Sequence, residues 1–281
     1  MKIILSRKGF DSENGGYPSP IIPDGRLVSL PIPAGDDNRY SDLMLDNERS
    51  YFDVMKQLKP TIRDGKEWTE LNPDTHCHVD PDIFETVLPR KAGWKACFGQ
   101  MGAAQHHLKN KDVAVGDVFL FFGWFRRTTM ANGRIVFDNA AQNQHIIFGY
   151  LQIGRIIHQD DDVQIPDWMS SHPHFEYFNY DNPTNTVYVA REKLSWNEQC
   201  PGAGSFDLHK DLVLTKEGLQ FSRSQWNLPE IFKEANISYH SQNSWKSDHF
   251  QSAGRGQEFV VTCTPKIEEW TKRLIDKHAN H

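Results

Sequence analysis

Two stretches of the chain gather side chains able to do chemistry. The first is Ser6-Arg7-Lys8-Gly9-Phe10-Asp11, continued by Gly15-Gly16, Pro18, Pro20, Pro23 and Asp24-Gly25-Arg26. Arg7 offers a planar fork for phosphate or carboxylate, and Lys8 a point charge. Asp11 and Asp24 are candidates to orient those cations or to act as acid–base groups. The density of Pro and Gly holds such a loop in one shape, since Pro fixes φ and Gly permits φ > 0. Rigid polar loops at strand ends are where sites tend to sit. The plainer reading is an N-terminal edge strand followed by its turn.

The second stretch is His76-Cys77-His78-Val79-Asp80-Pro81-Asp82. His76, His78, Asp80 and Asp82 alternate, and on an extended chain they share one side. Histidine with carboxylate suits zinc, iron or manganese, so these four are the metal candidates. His76 and His78 are also candidates for proton transfer. Pro81 and the nearby Asn-Pro-Asp favour a solvated loop with local hydrogen bonds instead. His106-His107 and His172-Pro-His174 are further pairs, but with 13 histidines pairs also arise by chance. Gln100, Gln105 and His106 offer amide and imidazole contacts of the kind that read a base edge. Trp124, Phe125 and Tyr150 are able to stack on a base, with core packing as the competing role. The chain has no G-x-S-x-G elbow, no H-E-x-x-H and no Walker loop. Pro201-Gly-Ala-Gly204-Ser-Phe206 is a Gly-rich turn without a clear helix after it, which is a weak phosphate signal.

The elements that must position these groups form a β-rich pattern. Residues 2–6 read as a strand and Leu27–Ile32 as a second apolar run. A helix is expected from about Asn47, since Tyr51, Phe52, Met55 and Leu58 recur at helical spacing. Ala96–Phe98 reads as a short strand and Gly102–Leu108 as a helix. Val115–Phe125 and His145–Ile157 are aromatic and β-branched runs, with Asn132-Gly133 as a turn between β segments. Gly149 and Gly154 predict a bulge or bend. Thr186–Ala190, Leu212–Thr215 and Glu258–Cys263 read as strands, Leu228–Phe232 as a helical turn. Thr264-Pro265 opens a C-terminal helix with Ile267, Trp270 and Leu274 on one face. The expected fold is α+β: a β-rich mixed sheet or partly closed barrel with peripheral helices and a C-terminal helix, as one domain over residues 1–281.

Composition narrows the function class. The 281 residues are 38% hydrophobic and 24% charged, which fits a soluble globular protein. A net charge of −6 argues against a generic coat for duplex DNA. Basic pairs such as Arg7/Lys8, Lys91/Lys95, Lys109/Lys111 and Arg126/Arg127 fall in the first half, and an acidic run stands at Asp160-Asp161-Asp162. That asymmetry admits an anionic ligand. Four widely spaced cysteines form no C-x-x-C pair and read as reduced structural thiols. No apolar run reaches membrane-spanning length, and no membrane partner is expected. The apolar stretch before Ser6 is too short for a secretory core, so the expected compartment is the cytoplasm. The residue pattern names no cofactor beyond the candidate metal and fixes no oligomeric state.

Ser6-Arg-Lys-Gly-Phe-Asp11, Gly15-Gly16, Pro18-Ser-Pro20-Ile and Pro23-Asp24-Gly25 resemble the start of the nucleotide modification associated domain 3 family. Phe98-Gly-Gln100 with Ala103-Ala104-Gln105, the Gly116–Phe125 run, Gly202-Ala-Gly204-Ser-Phe206, and Leu214-Thr215 leading to Trp226-Asn-Leu-Pro229 carry the likeness along nearly the entire chain. The resemblance implies an association with base modification in DNA. It marks the charged and glycine positions of the N-terminal block, Gly15 and Gly16 included, as a ligand-binding patch. The His/Cys/Cys centre of base deaminases is not among the motifs. Residues 112–157 are also similar to the paired strands of small PUA- and EVE-type barrels, which bind modified nucleotides in an aromatic pocket. Three functions are therefore expected in descending order: an enzyme acting on a nucleotide or nucleic-acid base, a non-catalytic reader of a modified base, and a scaffold subunit with partner proteins in a modification or defence system.

Overall fold

A computed structural model describes residues 1–159, 161, 165–170, 172–176 and 182–280. Of the acidic run 160–162, only Asp161 lies among the described residues. The organising element is a ten-stranded mixed sheet. Its strands are β1 (Ile3–Arg7), β2 (Ser19–Ile21), β3 (Cys97–Gln100), β4 (Val118–Ala131), β5 (Arg134–Phe137), β6 (Gln144–His158), β7 (Thr186–Ala190), β8 (Ala203–Ser205), β9 (Asn236–Ile237) and β10 (Glu258–Thr262). The main path runs β9-β10-β1-β4-β6-β7-β3, with β2 and β5 added to β4 and β8 to β6. The path has two ends and does not close into a barrel.

β1 is an interior strand and not an edge. Ile3, Ile4 and Leu5 are buried, with β10 antiparallel on one side and β4 parallel on the other. A strand covered on both faces needs a continuous apolar run, which this one has. β4 and β6 are the long strands foreseen from their aromatic and β-branched content. The Asn132-Gly133 turn joins β4 to β5, with both residues at positive φ, 51° and 73°. Register shifts break the ladders where Phe122 pairs with Ile147 and where Ala190 pairs with Ile153, skipping Phe148 and Gly154 on β6. The bend predicted from the glycines of this strand falls at those two places.

Among the described residues four α-helices flank the sheet: α1 (Tyr51–Leu58), α2 (Gly102–Asn110), the short α3 (Pro173–Glu176) and α4 (Pro265–His278). Ser50 caps α1 in a reciprocal box with Asp53, and Thr264 caps α4. On α4, Ile267 and Leu274 are buried, and Trp270 packs edge-on against Phe232. A second apolar cluster (Phe10, Tyr17, Tyr40, Val54, Ile62) joins α1 to a small sheet of Asn14–Gly15, Thr61–Asp64 and Glu67–Glu70.

Two expected elements take other forms, and a third is shifted by two residues. Leu27–Ile32, buried from Leu27 to Leu30, makes no strand. Pro31 and Pro33 lack backbone donors, and the Leu30 amide donates to the Ser19 hydroxyl instead of a ladder. Leu212–Thr215 makes only isolated bridges, through Val213 and Thr215, after a 3₁₀ turn. The turn at Leu228–Phe232 is a 3₁₀ helix over Glu230–Glu234. Among the described residues, no helix is long and apolar enough to cross a membrane. The four cysteines are unbridged.

Candidate functional site

The C-terminal end of β1, the loop holding His78 and Asp80, the end of β3, α3 and the segment entering β10 converge on one hollow. Arg7, Lys8, Asp11, His78, Asp80, Gly99, Gln100 and His174 all line this cavity of about 570 Å³. A neighbouring cavity of about 800 Å³ includes Arg7, Asp11, Trp124, His145, Arg223, Gly254 and Arg255 in its wall. Arg7, Asp11 and Gly254 belong to both walls, so the two adjoin as a smaller and a larger lobe. Each lobe falls within the size range of small-ligand sites.

In the smaller lobe, His78, Asp80 and His174 bring ligand atoms within 4.8 Å of one another. The Nδ1 of His78 donates to the Asp36 carboxylate at 2.5 Å. The Nδ1 of His174 donates to the Asn185 side-chain oxygen at 2.7 Å. Asn185 in turn donates its amide nitrogen to the His174 carbonyl at 2.7 Å, which fixes the orientation of the amide. Asp80 accepts the Gly99 amide on Oδ1 at 2.7 Å, with His172 Nε2 3.5 Å from the same oxygen and His174 Nε2 4.0 Å from the other. Burial raises the Asp80 pKa, but His172, His174 and Lys8 outweigh it and hold the carboxyl at about 2. Burial is the main cause that takes His174 down to about 4. The His174 ring lies flat against Gly99, where a Cβ would sit 2.1 Å from its Cγ and Cδ2. Only a residue without a side chain admits the imidazole there.

In the larger lobe the electrostatics are unusual. The guanidinium of Arg7 donates to the carbonyls of Gly254 and Ala253 at 2.9 and 2.6 Å. It lies 5.5 Å from the Phe259 ring centroid and 5.8 Å from that of Phe122. Its buried Nε has no hydrogen-bond partner among the described residues. Arg223 stacks on Trp124 at 4.0 Å. Burial and then the charge of Arg223 lower the pKa of Arg7, and burial lowers that of Arg223, with the charge of Asp11 opposing the shift in both. Among the described residues neither cation has an acid within 4.0 Å. His145, in the same wall, is fully buried and held well below its usual range by burial, then by Arg7 and Arg223. Its Nδ1 accepts from the Trp226 indole at 3.1 Å.

The residues singled out from the sequence divide accordingly. Arg7, Asp11, His78, Asp80 and Gln100 meet at the hollow, and Trp124 lines its larger lobe. The Asp11 Oδ1 accepts the amides of Glu13 and Asn14, both at 2.7 Å, so one oxygen shapes the loop. Lys8 is not an open cation. Its ammonium pairs with Glu258 at 2.9 Å and sits 4.2 Å from the Phe98 ring centroid. Gln100 donates to the same Glu258 oxygen at 2.8 Å.

The alternating His/Asp run does not act as a unit. His76 Nδ1 bonds the Asp36 carbonyl, and Asp82 is held by Arg90 at 2.6 and 2.8 Å and by the Trp94 indole at 3.1 Å. Gln105 is buried and accepts the Tyr188 hydroxyl, and His106 is exposed on α2. Asp24 forms an exposed pair with Arg26. Gly15 and Gly16 serve packing. Both have positive φ, and a Cβ on Gly15 would lie 2.0 Å from the Phe10 ring and one on Gly16 2.5 Å from Trp68. Phe125 and Tyr150 are core side chains.

His172 and His174 were visible only as one histidine pair among several. Their alternate spacing repeats that of His76 and His78, but nothing local places them across the hollow. Asp36, Asn185, Arg223 and Glu258 carry no local signal at all. The family model described as Nucleotide modification associated domain 3 matches residues 2–262. No curated protein and no solved structure matches the chain.

Proposed function

The chain belongs to the nucleotide modification associated domain 3 family, and on that premise we propose that the two-lobed hollow binds a nucleotide or a nucleotide unit of a nucleic acid and serves its modification. The larger lobe takes phosphate and the smaller lobe takes the base. The observation that carries this reading is the pair Arg7 and Arg223. Two partly desolvated guanidinium groups share one wall, each with its pKa lowered and neither with an ion-pair partner among the described residues. The charge of Asp11 in the same wall offsets part of the cost of burying these cations, and an incoming anion relieves the rest. Arginine is also the side chain best shaped to grip phosphate. Met101 lines the smaller lobe and gives it an apolar contact suited to a base. The overall negative charge is consistent with a local basic hollow rather than a duplex-coating face.

Calorimetric titration with nucleoside monophosphates, the corresponding nucleosides and inorganic phosphate tests the assignment. Monophosphates are expected to bind most tightly. Arg223→Gln is expected to weaken them by about tenfold or more, equivalent to about 1.4 kcal/mol. Nucleosides binding as tightly as their phosphates, with Arg223→Gln silent, would remove the arginine lobe from the account.

A further inference from the structure

We infer that His78, Asp80 and His174 form a binding site for one divalent first-row transition metal ion, with coordination positions open to the smaller lobe. One donor atom from each of the three residues lies within 4.8 Å of the other two. A carboxylate takes the Nδ1–H of His78, and a fixed amide oxygen takes the Nδ1–H of His174. A neutral imidazole whose Nδ1–H is held by an acceptor coordinates a metal through Nε2. Carboxylate and carbonyl groups behind a ring nitrogen are the usual support for a metal-bound histidine. Asp80 is arranged to the same end. Gly99 holds Oδ1, His172 lies behind that oxygen, and Oδ2 faces His174 Nε2.

Three electron-rich donors thus converge from two segments nearly one hundred residues apart, with side-chain exposures of 16%, 5% and 4%. Convergent donors of that kind repel one another until a cation or proton lies between them. Metal–ligand bonds of about 2.0–2.2 Å put neighbouring donors about 3–3.6 Å apart. The 4.0 Å between Asp80 Oδ2 and His174 Nε2 therefore needs only a small closure.

Two imidazoles and one carboxylate suit iron(II), manganese(II) or zinc, and not calcium or magnesium. Three protein donors facing a cavity leave room for exogenous ligands, which distinguishes a catalytic arrangement from a closed structural one. The two-histidine, one-carboxylate pattern with open positions favours iron(II). His209, Asp211 and His278 make a second His/Asp/His group, but it offers a useful contrast. Asp211 Oδ2 already accepts Lys277 at 2.9 Å and His278 at 3.1 Å, and His209 and Asp211 are over a third exposed. The inference stands whether or not the larger lobe takes phosphate.

The test uses the untagged full chain, stripped with a chelator and titrated with Fe²⁺ under anaerobic conditions, with Zn²⁺ and Mg²⁺ as separate arms. One equivalent of Fe²⁺ or Zn²⁺ is expected to bind, and Mg²⁺ is expected to bind at least about 100-fold more weakly. His174→Ala and Asp80→Asn are each expected to lower affinity by about 100-fold or more. Asn185→Ala acts through His174 and is expected to cost about 10–100-fold. His209→Ala is expected to leave binding unchanged. If the ligand variants fail to fold, the unmutated chain loaded with Co²⁺ decides the matter: paramagnetic shifts on two imidazoles support the site. No stoichiometric binding by the unmutated chain, or loss in His209→Ala with retention in His174→Ala, overturns it.

Discussion

Lys8→Met separates a structural cation from a ligand-binding one. The Lys8 side chain is 9% exposed and that of Glu258 is fully buried, with 2.9 Å between ammonium and carboxylate. Methionine keeps the length and the apolar stem against Phe98 but removes the charge. Glu258 would then keep one donor, Gln100, while its Oε2 already has no partner among the described residues. Removing one member of a buried pair typically costs about 3–5 kcal/mol, because the other charge stays buried and uncompensated. A domain is stable by about 5–15 kcal/mol, so the loss is a large fraction of the total. Removing both charges in Lys8→Met/Glu258→Gln should recover most of it, and a double-mutant cycle should give coupling of several kcal/mol. Urea denaturation followed by circular dichroism reads all four species. A loss below about 0.5 kcal/mol in Lys8→Met, the size of an ordinary surface change, with nucleotide affinity collapsing instead, would refute the reasoning and return Lys8 to the phosphate.

Other outcomes follow from the same geometry. Asp82→Asn should destabilise by about 3 kcal/mol through the loss of its Arg90 pair, yet leave metal affinity at Asp80 intact when followed by titration. Gly15→Ala should destabilise by about 1–2 kcal/mol or more, from positive φ alone and before the clash with Phe10 is counted; an unchanged denaturation midpoint would contradict the packing role. His145 has a folded pKa well below the 6.5 of the unfolded chain. As pH falls below about 6.5 the unfolded chain takes up a proton that the folded protein refuses, so stability is lost toward acid by up to about 1.4 kcal/mol per pH unit. His145→Gln should flatten the acid limb of a stability–pH curve by one proton, and an identical slope in the variant would count against a buried neutral imidazole.

Much of the fold could be read from local pattern, because its strands are long, aromatic and flanked by turn residues. β4, its Asn132-Gly133 turn and β6 follow from those signals, as do the capped α1 and α4. The interior position of β1 does not, since an apolar run reads alike at an edge and in the middle of a sheet. Leu27–Ile32 misleads for a related reason: its burial is real, but the prolines around it deny it a ladder. At the site, the sequence shows that Arg7, His78 and Asp80 carry chemistry, and not how they are partnered. Alternation grouped Asp80 with Asp82, whereas the fold turns Asp82 toward Arg90 and Asp80 toward His174. Nothing in local spacing anticipates a partner from α3, or that Glu258 would neutralise Lys8 from the far end of the chain. Such pairings are products of sheet order, in which β10 and β1 lie side by side despite some 250 intervening residues.

The account turns on the two arginines as the seat of an anion. A crystal structure with a nucleoside monophosphate tests it most directly. The account predicts phosphate oxygens within hydrogen-bonding distance of Arg223 in the larger lobe and the base beside Met101 in the smaller one. A nucleotide bound elsewhere, with Arg7 and Arg223 facing only solvent in a saturated crystal, would contradict it.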